Sequence, residues 1–278
     1  MPTIDEKRVY DAKTGATRAL VASTVGVVGA KVSGDIVGEF GIDHRCSARD
    51  LAAAGDVLAV ATDDDVLVGD FEPSGHGPAV AVGVDAGSDA VLAAAPDGTI
   101  SRLAGDADEW AAVGAVDDPR RIAGTLVAAA DGVHRVRDGD VEYAGLDDAR
   151  DVAGGGAPLA VTGEALYALG NGWMRDLDGD FRAVATDAAG DRAVAATGDE
   201  LYERGGRDAE DGDTDGSAWV AAAESGVADV AVGDDLLAAV TADGELRVNR
   251  DGEWRGRHLG VPGASAVVVP GASGGRAE

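Results

Sequence analysis

The clearest hydrophobic pattern in the chain lies between residues 227 and 261, VADVAVGDDLLAAVTADGELRVNRDGEWRGRHLGV. Four short segments (VADVAVG, LLAAVTA, ELRVNR and EWRGRHL) are separated by the acidic turns GDD, ADG and RDG. Short apolar or alternating segments that are bounded by Gly and Asp predict β-strands joined by tight turns. The pattern therefore predicts a unit of four consecutive strands.

The second segment of this unit recurs as an Ala- and Val-rich run that ends in an acidic turn. Seven such runs lie at residues 19–24, 57–64, 91–98, 126–132, 159–164, 193–200 and 237–244. They lie about 32 to 45 residues apart, which is the period of β-propeller blades. Each run is apolar at nearly every position, as expected for a strand that neighbouring blades cover on both faces, and a more polar strand follows it.

The fourth strand of a unit often carries a large residue near its start. These residues are Trp110, Tyr143, Trp219 and Trp254. Large residues outside and small ones inside suit a wedge-shaped blade that tapers toward a central axis. We interpret these aromatic side chains as packing between blades rather than as a surface for stacking a ligand.

A weaker element precedes several of the runs and predicts the innermost strands, at residues 48–52, 119–123, 149–153 and 227–231. The count favours seven blades, with six as the alternative because segments 71–84 and 173–186 are ambiguous. SAVVVPG at residues 265–271 predicts one more innermost strand, and TRALVAST, VGVVGAKV and DIVGEFGI predict the other three strands of its blade. The sequence thus predicts an all-β fold with one propeller domain over residues 1–278, closed by strands from both termini, with 1–16 and 272–278 as peripheral ends.

This repeat resembles the WD40-like and quinoprotein-like propellers, and in particular small uncharacterised propellers of haloarchaea. The Trp-Asp dipeptide and Gly-His pair of a strict WD40 repeat do not recur here, and no recognisable quinoprotein cofactor site accompanies the repeat. The resemblance therefore implies the fold and leaves the activity open.

The composition indicates the solvent in which the chain works. The chain is 45% hydrophobic but only 4% aromatic, and its net charge is -28, with Lys7, Lys13 and Lys31 as the only lysines. This combination resembles proteins of extremely halophilic archaea, in which concentrated salt screens the repulsion. Because the arginines are scattered among acids, the charge argues against nucleic acid or an anionic membrane as a partner. The negative charge is compatible with a basic or cationic partner.

Cysteine content and hydropathy predict the compartment. Cys46 is the only cysteine, which excludes an internal disulfide framework. The first residues contain no hydrophobic signal core, and no apolar run approaches the length of a membrane span. We therefore expect a cytoplasmic monomer.

Arginines at equivalent positions of three predicted innermost strands form the first candidate site. Arg49, Arg120 and Arg150 align, and Asp50, Arg121 and Asp151 come next. If these positions face one mouth of the channel, their guanidinium groups converge in a geometry that suits carboxylate or phosphate groups. The alternative is that each arginine pairs with an Asp of its own or the adjacent blade.

Two further candidates involve metal-binding residue types. His44 lies two residues from Cys46 and is a candidate neighbour of the ligand site, although two ligands are too few for zinc. Asp211, Asp213 and Asp215, followed by Gly216, match the start of a calcium loop, but the acid expected later in that motif is absent. We expect no cofactor, with calcium at this loop as the weaker alternative.

The sequence as a whole favours a noncatalytic binding or interaction module. A protein or a small anionic ligand would bind at the channel mouth formed by the loops that lead into the innermost strands. The alternative is a metal-dependent hydrolase with its site at the same mouth, for which Asp50, Asp151 and Asp229 are the available acids.

Overall fold

The structure, a computed structural model, describes residues 17–105, 107–204, 219–224, 226–250 and 252–271. Every regular element in these residues is a β-strand. The strands form seven antiparallel sheets of four strands each, which confirms the all-β prediction and the count of seven blades. Within these same residues there is no helix with the length and apolar character that a membrane crossing requires.

The first three strands of the described chain belong to blade 1, and six complete blades follow. Blade 1 contains β1 (Thr17–Ser23), β2 (Gly26–Ser33) and β3 (Ile36–His44). The strands of blades 2 to 7 are, in chain order, β4 (Ala48–Ala54), β5 (Val57–Thr62), β6 (Val66–Val68), β7 (Glu72–Pro73); β8 (Ala81–Asp85), β9 (Ala90–Ala94), β10 (Thr99–Leu103), β11 (Ala111–Ala115); β12 (Pro119–Ala123), β13 (Leu126–Ala129), β14 (Gly132–Arg137), β15 (Asp140–Gly145); β16 (Asp151–Ala153), β17 (Leu159–Val161), β18 (Ala165–Leu169), β19 (Trp173–Asp178); β20 (Phe181–Thr186), β21 (Ala193–Thr197), β22 (Glu200–Arg204), β23 (Trp219–Glu224); β24 (Val227–Val232), β25 (Leu237–Thr241), β26 (Glu245–Asn249) and β27 (Arg255–His258).

The ring is closed by the last described strand, β28 (Ala266–Val268), which is the innermost strand of blade 1. It pairs antiparallel with β1, with Leu20 opposite Val268 and Ala22 opposite Ala266. The innermost strands contact one another in the circular order β28, β4, β8, β12, β16, β20, β24 and β28 again. The predicted closure by strands from both termini is confirmed.

Small aliphatic side chains fill the space between neighbouring blades. Between blades 1 and 7, Val21 and Val28 of one sheet pack with Ala238 and Val240 of the other, all at most 1% exposed. Ala and Val on facing sheets permit close approach near the axis, where the blades are narrowest. This packing accounts for a core that is rich in Ala and Val and poor in aromatic residues.

Four tryptophans at the outer strands each join their own blade to the one before it. The indole N–H of Trp219 donates to Asp176 in the preceding blade (2.8 Å), and that of Trp254 donates to Glu203 (2.7 Å). The other two such bonds run from Trp110 to Ser74 (3.1 Å) and from Trp173 to the carbonyl of Ala144 (2.9 Å). The indoles therefore serve packing between blades, since each has an apolar ring and one donor to satisfy.

Glycines support the connections between blades where the backbone approaches closely. Gly98 has a φ of +91° and lies against Val116, whose N–H donates to the Gly98 carbonyl (3.0 Å). A Cβ atom at Gly98 would overlap the carbonyl oxygen of Val116. A Cβ atom at Gly244, whose φ is +85°, would likewise overlap the carbonyl oxygen of Val261. Only glycine combines this conformation with this contact.

Candidate functional site

Four charged side chains from four different innermost strands meet at the channel axis. Arg121 of β12 donates from Nη1 to Asp50 Oδ1 on β4 (2.7 Å) and from Nη2 to both carboxylate oxygens of Asp229 on β24 (2.7 Å each). Its Nε lies 3.5 Å from Oδ1 of Asp151 on β16. We call Asp50, Arg121, Asp151 and Asp229 the axial cluster. It ties blade 4 to blades 2, 5 and 7.

β-Bulges at the start of three innermost strands direct Asp50, Arg121 and Asp229 inward. The register shifts between Ala48 and Asp50, between Pro119 and Arg121, and between Val227 and Asp229. In a bulge, two residues oppose one residue on the partner strand. The side chain after the bulge therefore points in a different direction from the one that regular alternation would give it. The axial residue of each of these three strands directly follows the bulge.

The three axial aspartates also link neighbouring innermost strands. Each of these strands pairs on one side only, so its other edge offers backbone N–H groups toward the channel. The carboxylates accept these donors from the following blade: Val82 N–H to Asp50 (3.0 Å), Val184 N–H to Asp151 (2.8 Å) and Val267 N–H to Asp229 (2.8 Å). Each aspartate is at most 3% exposed.

Burial dominates the electrostatics of the axial cluster. It raises the pKa of Asp50, an effect that Arg121 opposes, and it raises the pKa of Asp151 to about 7, with Arg121 opposing and Asp229 adding to the rise. Burial disfavours the charged form of Arg121, but the carboxylates of Asp229, Asp50 and Asp151 hold its pKa well above the usual value. Arg121 is therefore a fixed cation, and three carboxylates share it.

A cavity of about 200 Å³ lies in the channel on the side toward which the innermost strands run. Its wall consists of small aliphatic residues that follow the axial residues on these strands, such as Val152, Val184 and Val230, and Arg121 lies at its base. We call it the rear cavity. The axial cluster separates it from the front mouth, which is the end of the channel where the innermost strands begin.

Arg49, the first of the sequence-predicted arginines, lies at the front mouth in the bulge of β4. It pairs with Asp63 of its own blade, and the Ser47 hydroxyl donates to the same carboxylate (2.6 Å). The hydrogen bonds from Ser47 and Arg49 lower the pKa of Asp63. The Arg49 side chain stays 54% exposed.

Arg120 and Arg150 bind the start of the following blade. Arg120 Nη1 donates to Asp148 (2.7 Å) and to the carbonyl of Ala149 (3.2 Å), and it also pairs with Asp118 (3.3 Å). Arg150 Nη1 donates to Asp180 (2.6 Å) and to the carbonyl of Phe181 (3.0 Å). All three predicted arginines thus have acidic partners in their own blade or beside the following one.

His44 lies apart from these arginines, at the end of the outermost strand β3. Its ring stacks on Phe71 of blade 2, with 5.0 Å between ring centroids. Nearby Cys46 is half-buried among apolar residues, and burial raises the pKa of its thiol. Asp211, Asp213 and Asp215 lie outside the described residues. Among those described, no group of three or more His, Cys, Asp or Glu side chains is arranged to hold a metal ion.

A family model whose description is "HVO_0234-like, beta propeller" matches residues 3–270. The chain belongs to this family. The family carries a haloarchaeal name, in agreement with the resemblance inferred from the repeat. No curated protein matches the chain significantly.

Solved structures that resemble this HVO_0234-like propeller share its fold at low sequence identity. The computationally designed Ika8 protein matches with a TM-score of 0.56 and 14% identity, over 91% of each chain. The extracellular domain of the putative one component system BT4673 from B. thetaiotaomicron matches with a TM-score of 0.56 and 12% identity, over 88% of this chain and 37% of that one. At such identities the likeness establishes architecture alone.

Arg121, rather than the predicted Arg120, is the arginine of β12 that reaches the axial cluster. The sequence does carry a signal for Arg121. The third residue is Asp in the innermost-strand segments ARDLA, ARDVA and VADVA, but it is Arg in PRRIA. One reversed charge among equivalent acids is the pattern expected when a single cation satisfies several carboxylates.

Proposed function

We propose that this HVO_0234-like propeller is a noncatalytic binding module that takes a carboxylate-bearing ligand or protein partner at its front mouth. The observation that carries the proposal is the position of Arg121. Its guanidinium group occupies the point at which Asp50, Asp151 and Asp229, each from a different innermost strand, converge.

This position disfavours the metal-dependent hydrolase considered as the alternative. Such an enzyme needs oxygen ligands from several blades directed at one point on the axis. Asp50 and Asp229 meet that description, but both hold the guanidinium at 2.7 Å and also accept backbone N–H groups. A metal ion would have to displace a cation that is covalently part of the ring.

The arginines at the front mouth could exchange their aspartate partners for a carboxylate of a ligand. Arg49, Arg120 and Arg150 each keep part of the guanidinium exposed, and the acids that they bind are 42% to 70% exposed. A carboxylate from a ligand could replace such an acid without losing a charge-assisted hydrogen bond, because the released Asp side chain becomes hydrated. The net charge of -28 opposes an anionic ligand, so this binding should strengthen as salt increases.

Two titrations of the full chain in molar KCl test the proposal. The first uses Mn²⁺, detected by its effect on water-proton relaxation. We expect no saturable binding that depends on Asp50 and Asp229. Saturable binding that is lost in Asp229→Asn would favour the hydrolase instead.

The second titration uses a hexaglutamate peptide and, separately, inorganic phosphate, detected by calorimetry. We expect saturable binding that is lost when Arg49, Arg120 and Arg150 are all replaced with Gln. Arg175→Gln, on the outer strand β19, is the matched control and should bind as the unaltered chain does. Binding of the peptide alone indicates a protein partner, and binding of both probes indicates a small anion. Binding of neither, or equal loss in the control, would overturn the assignment to the front mouth.

A further inference from the structure

The axial cluster contains more carboxylates than its single guanidinium can neutralise. Asp50, Asp151 and Asp229 together carry three negative charges when ionised, against one positive charge on Arg121. All three acids are at least 97% buried, so water cannot screen the excess. We infer that the axial cluster is a proton-binding site, with Asp151 protonated on the acid side of neutrality, and that loss of this proton destabilises the ring.

Geometry identifies Asp151 as the carboxylate that takes the proton. Asp50 and Asp229 each accept charge-assisted hydrogen bonds of 2.7 Å from Arg121. Asp151 faces only Nε of Arg121, at 3.5 Å, which is too long for a hydrogen bond of comparable strength. Its own bonds come from the backbone N–H groups of Val152 and Val184, at 2.8 Å each. Asp151 therefore has the least positive charge to compensate its ionisation.

The strands packed against β16 supply no other cation to Asp151 among the described residues. β12 contributes Arg121, and the axial cluster adds the like charges of Asp50 and Asp229 from β4 and β24, which lie elsewhere around the channel. The neighbouring strands β13 and β17 are wholly apolar in sequence, LVAA and LAV. On β20, Val184 offers its N–H, whereas the guanidinium of Arg182 lies near Gly198. The pKa of Asp151, which burial raises to about 7, agrees with this arrangement.

The direction of the pH effect follows from this raised pKa. The folded chain holds the Asp151 proton more tightly than the unfolded chain does, so folding is favoured most below the unfolded pKa of 3.8. This contribution is lost as the pH rises through about 7. Between these two values, each pH unit should lower the folding equilibrium constant by about tenfold, because the unfolded chain has released the Asp151 proton and the folded chain still holds it. The inference concerns the ring itself and does not depend on the proposed function.

Infrared spectroscopy of the full chain in molar KCl tests the protonation directly. We expect a protonated-carboxyl band at about pH 6 that disappears with a midpoint near 7, well above the ordinary range for Asp. The band should be missing in Asp151→Asn. Absence of such a band in the unaltered chain would overturn the inference, even if Asp151→Asn fails to fold. A band that persists in Asp151→Asn and is lost in Asp50→Asn would overturn the assignment to Asp151.

Urea unfolding between about pH 5 and about pH 8 tests the consequence for stability. The unaltered chain should lose more of its folding equilibrium constant over this range than Asp151→Asn does. Asp56→Asn, in the exposed turn between β4 and β5, removes one negative charge from the surface and should retain the slope of the unaltered chain. Equal slopes in the unaltered chain and Asp151→Asn would contradict the inference.

Discussion

Replacement of Arg121 with Met should destabilise the ring more than replacement of any other arginine in the described chain. The side chain is 17% exposed and is the cation shared by Asp50, Asp151 and Asp229. Removing one partner of a buried ion pair costs about 3 to 5 kcal/mol, because the remaining charge is left uncompensated. Domains have about 5 to 15 kcal/mol of stability in total, so the loss should be a large fraction of it.

Two related changes separate the charge of Arg121 from its shape. Arg121→Lys keeps the charge but loses the planar fork that binds Asp50 and Asp229 at once, so it should have an intermediate effect. Adding Asp50→Asn and Asp229→Asn to Arg121→Met removes the uncompensated charges and should recover part of the loss.

Urea unfolding in molar KCl, followed by tryptophan fluorescence and circular dichroism, measures these effects. Arg175→Met is the control, since Arg175 forms its ion pairs on an exposed outer strand, where solvent screens them, and its loss should change the free energy of unfolding very little. A loss in Arg121→Met no larger than in this control would refute the view that the axial cluster holds the blades together.

Three further changes test other parts of the ring by the same unfolding measurement. Trp219→Phe removes the indole N–H that binds Asp176 and should cost about 1 kcal/mol. Gly98→Ala forces a methyl group against the carbonyl oxygen of Val116 at a positive φ and should cost more than about 1 kcal/mol. Truncation after Gly263 removes β28, exposes the inner edge of β1, and should abolish the single cooperative transition.

Each of these changes has a control that alters a similar group without the contact. Tyr143→Phe removes an exposed hydroxyl whose hydrogen bond, to the carbonyl of Leu146, stays within blade 4, so it should have a smaller effect than Trp219→Phe. Gly41→Ala adds a methyl group in open space and should be nearly neutral. Truncation after Gly271 keeps β28 and should leave the transition intact. A cooperative transition that survives truncation after Gly263 would contradict the closure mechanism.

The fold was predictable because blade structure is repeated in the sequence. Each second strand of a blade is covered on both faces, so it appears as an Ala- and Val-rich run, and the runs recur at the period of a blade. The two ambiguous segments were harder for local reasons. β7 is only two residues long, and β19 carries the polar sequence WMRDLD. Neither gives the hydrophobic pattern of a strand.

The axial cluster could be predicted only in part. The sequence predicted that Arg49, Arg120 and Arg150 converge on the axis, whereas the residue after each of them reaches it. It also indicated Asp50, Asp151 and Asp229 as the acids available at the channel mouth. It could not determine which of two adjacent residues, Arg120 or Arg121, points to the axis, because a β-bulge at Pro119 to Arg121 breaks the alternation of side chains. Nor does the sequence indicate pairings across 71 and 108 residues, such as those of Arg121 with Asp50 and Asp229.

Closure of the ring by β28 has a consequence for the order of events during synthesis. β28 is the last strand of the described chain, and β1 lacks its inner neighbour until residues 266–268 have left the ribosome. The N–H of Val267 that binds Asp229 arrives at the same moment. Blades 2 to 7 can therefore form their sheets as they emerge, whereas the assembled circle and its central cluster become available only after translation of this segment. A nascent chain arrested before residue 266 should remain an open arc with one exposed strand edge at β1.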